Sequence, residues 1–312
     1  MLSVTFLGTG AACPTVERNV SGLAVAREGE TLLFDCGEGT QRQMMRYGVG
    51  FSFTEIFFSH YHSDHLLGVI GLFRTMGLLD RQAGVTLYGP RPAQKILTHA
   101  LGVGVERTKF PFEIVEVRPG ERLGRKDYDL EVFATDHRAD TVGYALVEHQ
   151  RLGRFDPERA RELGIPEGPL WGRIHRGEAV TLPDGRRLDA ETIVGPPRSG
   201  RKLVYTGDTR PCPSVREAAQ GADLLIHEAT FGTDERARAA ETGHSTAFDA
   251  ATVARDAGVR RLVLTHISAR YSREAPELLA EAKGVFPEVT VAKDGMQVEV
   301  PFRDAVPAAS PD

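Results

Sequence analysis

No apolar run in these 312 residues approaches the roughly 20 needed to cross a bilayer, so no membrane span is expected. The N-terminal stretch MLSVTFLGTG has neither a basic leader nor a small-residue cleavage pattern, and secretion is not expected. Cysteine is scarce: Cys13, Cys36 and Cys212 are scattered, with no CxxC spacing. That argues against thiolate metal ligands and for a reducing, cytoplasmic setting. An excess of positive charge is missing as well. The formal net charge is −5, which excludes a globally basic nucleic-acid binder. There is no internal repeat and no low-complexity block. The tail 303–312, ending DAVPAASPD, reads as disordered.

What remains is an ordinary soluble composition, 41% hydrophobic and 26% charged. The chain is long enough for one large domain or two small ones, with a core that needs no disulfide staples. Short apolar runs recur as candidate strands: SVTFLG, GLAVA, TLLFDCG, EIFFSH, VTLYG, FEIVEV, DLEVFATDH, VGYALVE, KLVYTGD, DLLIHEA, RLVLTH and VTVAKDG. Helical patterns fall at 38–47, 65–79, 91–101, 213–219, 245–257 and 273–284. Early strands follow one another closely and later ones alternate with helices. Two mixed sheets with helices on their outer faces are expected.

Residues 148–200 break this rhythm. The segment is rich in Gly, Pro and Arg, with one short helical stretch at 157–163 and a PDG hairpin turn. It reads as a projecting insertion. Charge is segregated there: residues 150–202 hold eleven Lys/Arg and eight Asp/Glu, a balance of +3 against −8 for the rest. From charge alone, a solvated, salt-bridged insertion explains this better than a partner does.

The chain has ten histidines, and three of them lie in FSHYHSDHLLG, residues 58–68, as His60, His62 and His65, with Asp64 between. EIFFSH reads as a buried strand, on which alternation points His60 and His62 the same way. Ser63 or Asp64 then caps a helix. Four donors thus gather at the carboxyl end of one strand, where open α/β sheets hold ligands. Imidazole nitrogen and carboxylate oxygen form a ligand set for Zn²⁺ and its first-row neighbours. Three other apolar strands end in suitable residues: Asp136-His137, Asp208 after a turn-forming Gly207, and His266. Each alone reads equally well as a cap. Together they complete a two-metal site: His60, His62 and His137 for one ion, Asp64, His65 and His266 for the other, and Asp208 bridging.

With these residues in place the sequence resembles the metallo-β-lactamase superfamily, whose hallmark is HxHxDH followed by His, Asp and His ligands. Within it the chain is similar to the tRNase Z family over roughly residues 1–300. FLGTGAACPTVERNVSG resembles that family's first strand and loop. GIPEGPLWGRIHRGEAVTLPDG and GPPRSGRKLVYTGDTRP resemble its arm and the return to the core. IHEATF (226–231) and GHST (243–246) resemble its HEAT and HST loops. HxHxDH is shared by lactonases, glyoxalases and phosphodiesterases; the HEAT, HST and arm signatures are more specific. Leu152 and His175 depart from the family's usual proline and lysine, both within the arm.

The resemblance implies an αββα sandwich, an α/β (α+β) fold, spanning 1–312 as one domain with 149–200 as a tRNA-binding arm. It implies two Zn²⁺ per subunit, with Mn²⁺ an alternative, a cytoplasmic homodimer, and precursor tRNA as substrate. Cleavage 3′ of the discriminator nucleotide would leave a tRNA 3′-hydroxyl and a 5′-phosphate on the trailer. Asp64 would be proton acceptor as well as ligand. His244 would contact phosphate or donate a proton, and Glu228 would orient it. His227 is a weaker candidate, and Ser245 or Thr246 reads equally as a helix cap. Arg151, Arg154, Arg173 and Arg176 are candidate RNA contacts, and His99, His149 and His175 read as ordinary. Two rival functions remain at this stage: a small-molecule phosphodiesterase or arylsulfatase of the same fold, and a catalytically dead RNA-binding protein. The apolar stretches EIFFS and LFRTMGLLD read equally as core and as a subunit contact.

Overall fold

The structure is a computed structural model that describes residues 1–105, 107–182, 185–271 and 273–303. Pro183 and Asp184 of the expected hairpin turn, and the tail from 304, lie outside the described residues. The chain divides into two compact units: Met1–Val147 with Arg201–Pro301, and Glu148–Gly200 with Phe302 and Arg303.

The first unit begins with β1 (Leu2–Gly8), β2 (Gly22–Arg27), β3 (Glu30–Phe34), β4 (Glu55–Phe57), β5 (Val85–Gly89) and β6 (Phe112–Glu116). Between them come α1 (Thr40–Arg46), α2 (Ser63–Leu66), α3 (Gly68–Leu78) and α4 (Ala93–Leu101). Next are β7 (Arg122–Gly124), β8 (Tyr128–Ala134) and β9 (Val142–Glu148). The second unit carries α5 (Pro157–Glu162), α6 (Pro169–His175) and an antiparallel pair, β10 (Val180–Thr181) with β11 (Arg187–Leu188). The chain then returns through β12 (Lys202–Tyr205), α7 (Pro213–Ala219), β13 (Leu224–Glu228), α8 (Arg236–Thr242), α9 (Ala247–Asp256), β14 (Leu262–Thr265), α10 (Pro276–Lys283), β15 (Val289–Val291) and β16 (Gln297–Glu299).

Two seven-stranded mixed sheets result, in the orders β16-β1-β2-β3-β4-β5-β6 and β15-β14-β13-β12-β9-β8-β7. The run β3-β4-β5-β6 is parallel, and so is β12-β13-β14-β15. Strands in such a sheet are buried on both faces, which explains their continuous apolar runs. The burial pattern separates the faces by alternation. Leu32 and Phe34 of β3, with Leu224 and Ile226 of β13, belong to one cluster shared by the two sheets. Leu33 joins Met44, Val69, Phe73 and Leu97 under α1, α3 and α4. Leu225 joins Val215, Ala250, Ala254 and Leu278 under α7, α9 and α10. The layers are helix, sheet, sheet, helix, as expected. Each fully buried Leu or Phe contributes about 1.5–3 kcal/mol of apolar burial. The second unit has a small core of its own around Ala160, Ile165, Ile174, Leu182 and Ile193.

Several local expectations are corrected. β4 ends at Phe57, so His60 and His62 stand on the loop beyond the strand and not on the strand itself. His62, in extended conformation, is the residue before α2; Ser63 and Asp64 lie inside its first turn and do not cap it. The expected helix 65–79 is two helices, α2 and α3. Gly68 opens the second because a Cβ there would lie 1.9 Å from the Gly37 carbonyl oxygen. Helices α6 and α8 were not anticipated: one is broken up by Gly and Trp, and the other, RARAAET, has no apolar period. Ile56, Phe57 and Phe58 are fully buried, which settles EIFFS as core, whereas Leu78 and Leu79 are 77% and 60% exposed.

Candidate metal centre and active site

The parallel strands deliver their carboxyl ends to one edge of the two sheets. There the chain turns sharply, and three non-glycine residues adopt positive φ: Ala12 (62°) after β1, Asp35 (57°) after β3 and His266 (56°) after β14. Such conformations cost about 1–3 kcal/mol each and concentrate at functional sites. Gly207 (φ 60°) makes the expected tight turn before Asp208; a Cβ there would meet Ser59 Cβ at 2.5 Å.

All seven expected ligands converge. One donor atom from each of His60, His62, His137 and Asp208 lies within 4.8 Å of the others, and the same holds for Asp64, His65 and His266. His62 Nδ1 stands 3.0 Å from His60 Nε2 and 3.2 Å from His137 Nε2. His266 Nε2 is 3.3 Å from both Asp64 Oδ2 and Asp208 Oδ2, and His65 Nε2 is 3.4 Å from Asp208 Oδ1. A tetrahedral ion with bonds of about 2.0–2.1 Å spaces its ligands about 3.3 Å apart, so these donors fit first-row cations. Asp208 belongs to the first cluster and reaches the second through His65 and His266, and its buried Oδ1 accepts no hydrogen bond, as befits an oxygen reserved for a cation.

The outward-turned ring nitrogens explain why the cluster holds its shape. His65 Nδ1 donates to Asp35 Oδ2 (2.8 Å), His137 Nδ1 to the Gly243 carbonyl (2.7 Å), and His60 Nδ1 meets Ser59 Oγ (3.0 Å). Thr230 Oγ1 donates to Glu228 Oε2 (2.8 Å) and so accepts from His266 Nδ1 (2.8 Å). Such bonds fix the tautomer that leaves the other nitrogen free for a metal. Asp35, fully buried, also accepts from Ser59 N, Ser59 Oγ and Tyr205 OH. Asp35 and Thr230 escaped the sequence reading. The only signal for Asp35 is an acid closing the apolar run TLLFDCG, the same signal that found Asp208.

Charge follows from this packing. Burial holds the His60 imidazole well below its ordinary pKa, reinforced by His65, and burial also lowers His62 and His137, leaving neutral lone pairs. Burial pulls His65 down, but Asp208 and Asp35 outweigh it and raise it. Burial works to raise both Asp64 and Asp208, yet the neighbouring His266 and His65 hold both carboxylates ionised.

At the mouth, His244 Nδ1 donates to Glu228 Oε1 at 2.8 Å. Burial disfavours the charged imidazole, but the Glu228 carboxylate prevails and lifts it to about 9. Cations at Asp208 would oppose that lift and bring the pKa of the imidazole back toward neutral pH, the range in which a proton-transfer group is most effective. Thr246, not Ser245, caps α9, in a reciprocal pair with Asp249; Ser245 Oγ donates to the Thr209 carbonyl. His227 is buried away from the cluster, its Nδ1 on the Glu228 carbonyl. Asp136 is not a ligand: it pairs with Arg210. A cavity of about 350 Å³ opens beside the donors, lined by Ala12, Asp64, Phe231, Arg238, His244 and Arg270 among others. The sequence reading had not singled out the two arginines.

In the second unit, Arg173 and Arg176 both reach Glu178 (2.8 and 3.3 Å), and Arg151 lies over the Phe302 ring at 3.5 Å. Arg154 lines a cavity of about 680 Å³ with Phe155, Arg161 and Glu191. His175 Nε2 meets the Gly153 carbonyl at 3.0 Å.

Residues 2–153 match the family described as anti-Pycsar protein Apyc1, and residues 190–267 match a beta-lactamase superfamily domain. Ribonuclease Z of Gemmatimonas aurantiaca is 59% identical over 301 residues, 96% of either chain. Human tRNase Z, short form (ELAC1), superposes with a TM-score of 0.71 at 27% identity, over 96% of this chain and 100% of that one. The metallo-beta-lactamase fold protein YhfI of Bacillus subtilis, 20% identical, shares the fold with a TM-score of 0.69 over 95% of this chain and 98% of its own.

Proposed function

We propose, from the premise that this chain belongs to the ribonuclease Z family of the metallo-β-lactamase superfamily, that it is a zinc-dependent endoribonuclease acting on precursor tRNA. It cuts 3′ of the discriminator nucleotide, leaving a 3′-hydroxyl on the tRNA and a 5′-phosphate on the trailer. The observation that carries the chemistry is the convergence of seven donors into two clusters joined by Asp208. The relatives carry the substrate.

His60, His62 and His137 would hold one ion, Asp64, His65 and His266 the other, and Asp208 both. Zinc bound there would supply Lewis-acid stabilisation of the phosphate and a water acidic enough to attack at neutral pH. Asp64, kept ionised by His266 and His65, accepts the proton of the attacking water. The water oxygen bonds to phosphorus, the bond from phosphorus to O3′ breaks, and His244 protonates the departing O3′. Glu228 keeps the His244 imidazole aimed while Thr230 passes its hold to His266. Arg151, Arg154, Arg173 and Arg176 in the 149–200 arm contact tRNA phosphates, which give affinity and register without reading sequence.

The working form is a cytoplasmic homodimer. Exposed Met45 on α1 with Leu67, Leu78 and Leu79 at α3 support a second copy as the partner of that surface. Among the described residues, no helix is long and apolar enough to cross a membrane.

Incubation with a 3′-extended precursor tRNA, with mapping of both product ends, tests the function. A 3′-hydroxyl tRNA and a 5′-phosphorylated trailer are expected. Hydrolysis of small phosphodiesters with no cut in the precursor would overturn the tRNA reading. Fewer than two ions per chain under metal-replete conditions would overturn the two-metal centre.

A further inference from the structure

We propose that Arg210 is a positioning residue that holds His137 and His244 in place, through a clasp with Asp136. The inference rests on the two-cluster centre above and concerns this chain's own residues around it.

The two clusters are not equally supported. Asp64, His65 and His266 are all buried, and the outward nitrogens of both histidines rest on buried side chains, Asp35 and Thr230. In the other cluster His62 is exposed, and His137, though its ring is only 1% exposed, stands on a partly exposed stretch of backbone. The outward nitrogen of His137 rests on a main-chain carbonyl, that of Gly243. Its direction therefore depends on where the 240–244 segment sits. Gly243 itself is at φ 85°, and a Cβ there would stand 2.8 Å from His137 Nδ1, so the two segments are in tight apposition.

Arg210 joins the segments involved. Its Nη1 reaches Asp136 Oδ1 at 2.9 Å, and its main-chain N–H donates to the Asp136 carbonyl at 2.7 Å. Its Nε donates to the Ala240 carbonyl at 3.0 Å, at the end of α8. The neighbouring Thr209 Oγ1 accepts from Asp136 N at 3.0 Å, and the Thr209 carbonyl accepts from Ser245 Oγ at 2.7 Å. One planar guanidinium thus spans the His137 loop and the α8 end that leads to His244, from a position two residues after Asp208. An arginine fork carries separate nitrogens in one rigid plane and so fixes two acceptors at a set distance and angle, whereas the single ammonium nitrogen of a lysine does not. Of the Asp136-His137 pair at that strand end, the sequence assigned only His137 as a ligand; Asp136 stands one step behind it.

The ion pair is part exposed, 31% and 53% for the two side chains, so it adds little to global stability. Its effect is on geometry. Loss of a group that orients a metal ligand typically weakens metal binding about 10–100-fold; Arg210 acts through one further bond, so the lower end is expected.

The test is a chelator titration of the zinc-loaded, full-length protein, with Arg210→Met, Arg210→Lys and Asp136→Asn. Wild type releases both ions at high chelator concentration. Arg210→Met is expected to release one ion at about tenfold lower chelator and to keep the other unchanged. Its kcat on a small phosphodiester falls with KM little altered. Arg210→Lys and Asp136→Asn show smaller shifts in the same direction. Adding Asp136→Asn to Arg210→Met gives no further loss, because both break one clasp. Two ions held as in wild type by Arg210→Met would overturn the proposal, and so would equal weakening of both ions. If Arg210→Met fails to fold, Arg210→Lys and Asp136→Asn decide: wild-type release by both sinks the clasp. An apoprotein of all variants that binds no zinc, wild type included, would instead sink the two-metal reading beneath it.

Discussion

The two units of this chain use charged residues in opposite ways. In the larger one the titratable side chains of the site are mostly buried, and each histidine of the deeper cluster is fixed by a second, buried polar group. In the smaller one most arginines are exposed, and several pair with acids of the same unit, as Arg159 does with Glu162 and Arg161 with Glu167. Bond-breaking needs donors held to fractions of an ångström, which demands burial and full hydrogen bonding. Gripping a polyanion needs charge of the right sign within a Debye length, which tolerates mobile side chains. The larger unit fixes the positions of its charged groups, and the smaller leaves most of its charge at the surface.

Asp64→Ala gives the largest test of that contrast. It should reduce cleavage by at least about 10³-fold while gel-shift affinity for precursor tRNA survives. Substantial turnover with zinc present would remove Asp64 from the chemistry. Deleting residues 151–197 should do the converse: precursor processing collapses, while hydrolysis of a small phosphodiester persists. Equal loss of both activities would show that the smaller unit supports the site and would dissolve the comparison.

Glu228→Gln should lower kcat by about 10–100-fold. Because the Glu228 charge is what raises His244, the alkaline limb of the kcat–pH profile should move to lower pH in this variant. An unmoved limb would mean that His244 is not the proton donor. Core substitutions separate the units thermodynamically. Leu225→Ala, in the core beneath α9, should cost about 2–5 kcal/mol and lower the main melting transition. Ile174→Ala should loosen only the smaller core, reducing tRNA processing while leaving the main transition and small-ester hydrolysis intact. The smallest effect is expected from Glu178→Gln. Freeing Arg173 and Arg176 from their shared acid should tighten RNA binding by about two- to fivefold at low salt, fading as salt rises.

Much of the site was legible because its signals are local. His60, His62, Asp64 and His65 fall within six residues, His266 follows directly on an apolar strand, and Asp208 comes three residues after another. The reading misjudged how far β4 runs, because strand length is decided by a partner: β4 pairs with β3 and β5 only through Phe57. It missed Asp35, Thr230 and Arg210 for a different reason. Each acts on a residue between 30 and 74 positions away, and an isolated Asp, Thr or Arg in the sequence carries no mark of what it will touch.

Sequence by itself determined the two-sheet sandwich, through strands apolar on both faces, and the identity of the seven donors that converge, through donor types set on or just beyond apolar runs. Tertiary structure alone decided which nitrogen each histidine presents, which carboxylates stay ionised, and which ordinary polar residues hold the ligands in place. These depend on distances of a few ångströms between segments remote in the chain, and on burial that exists only once both sheets have closed over their shared core.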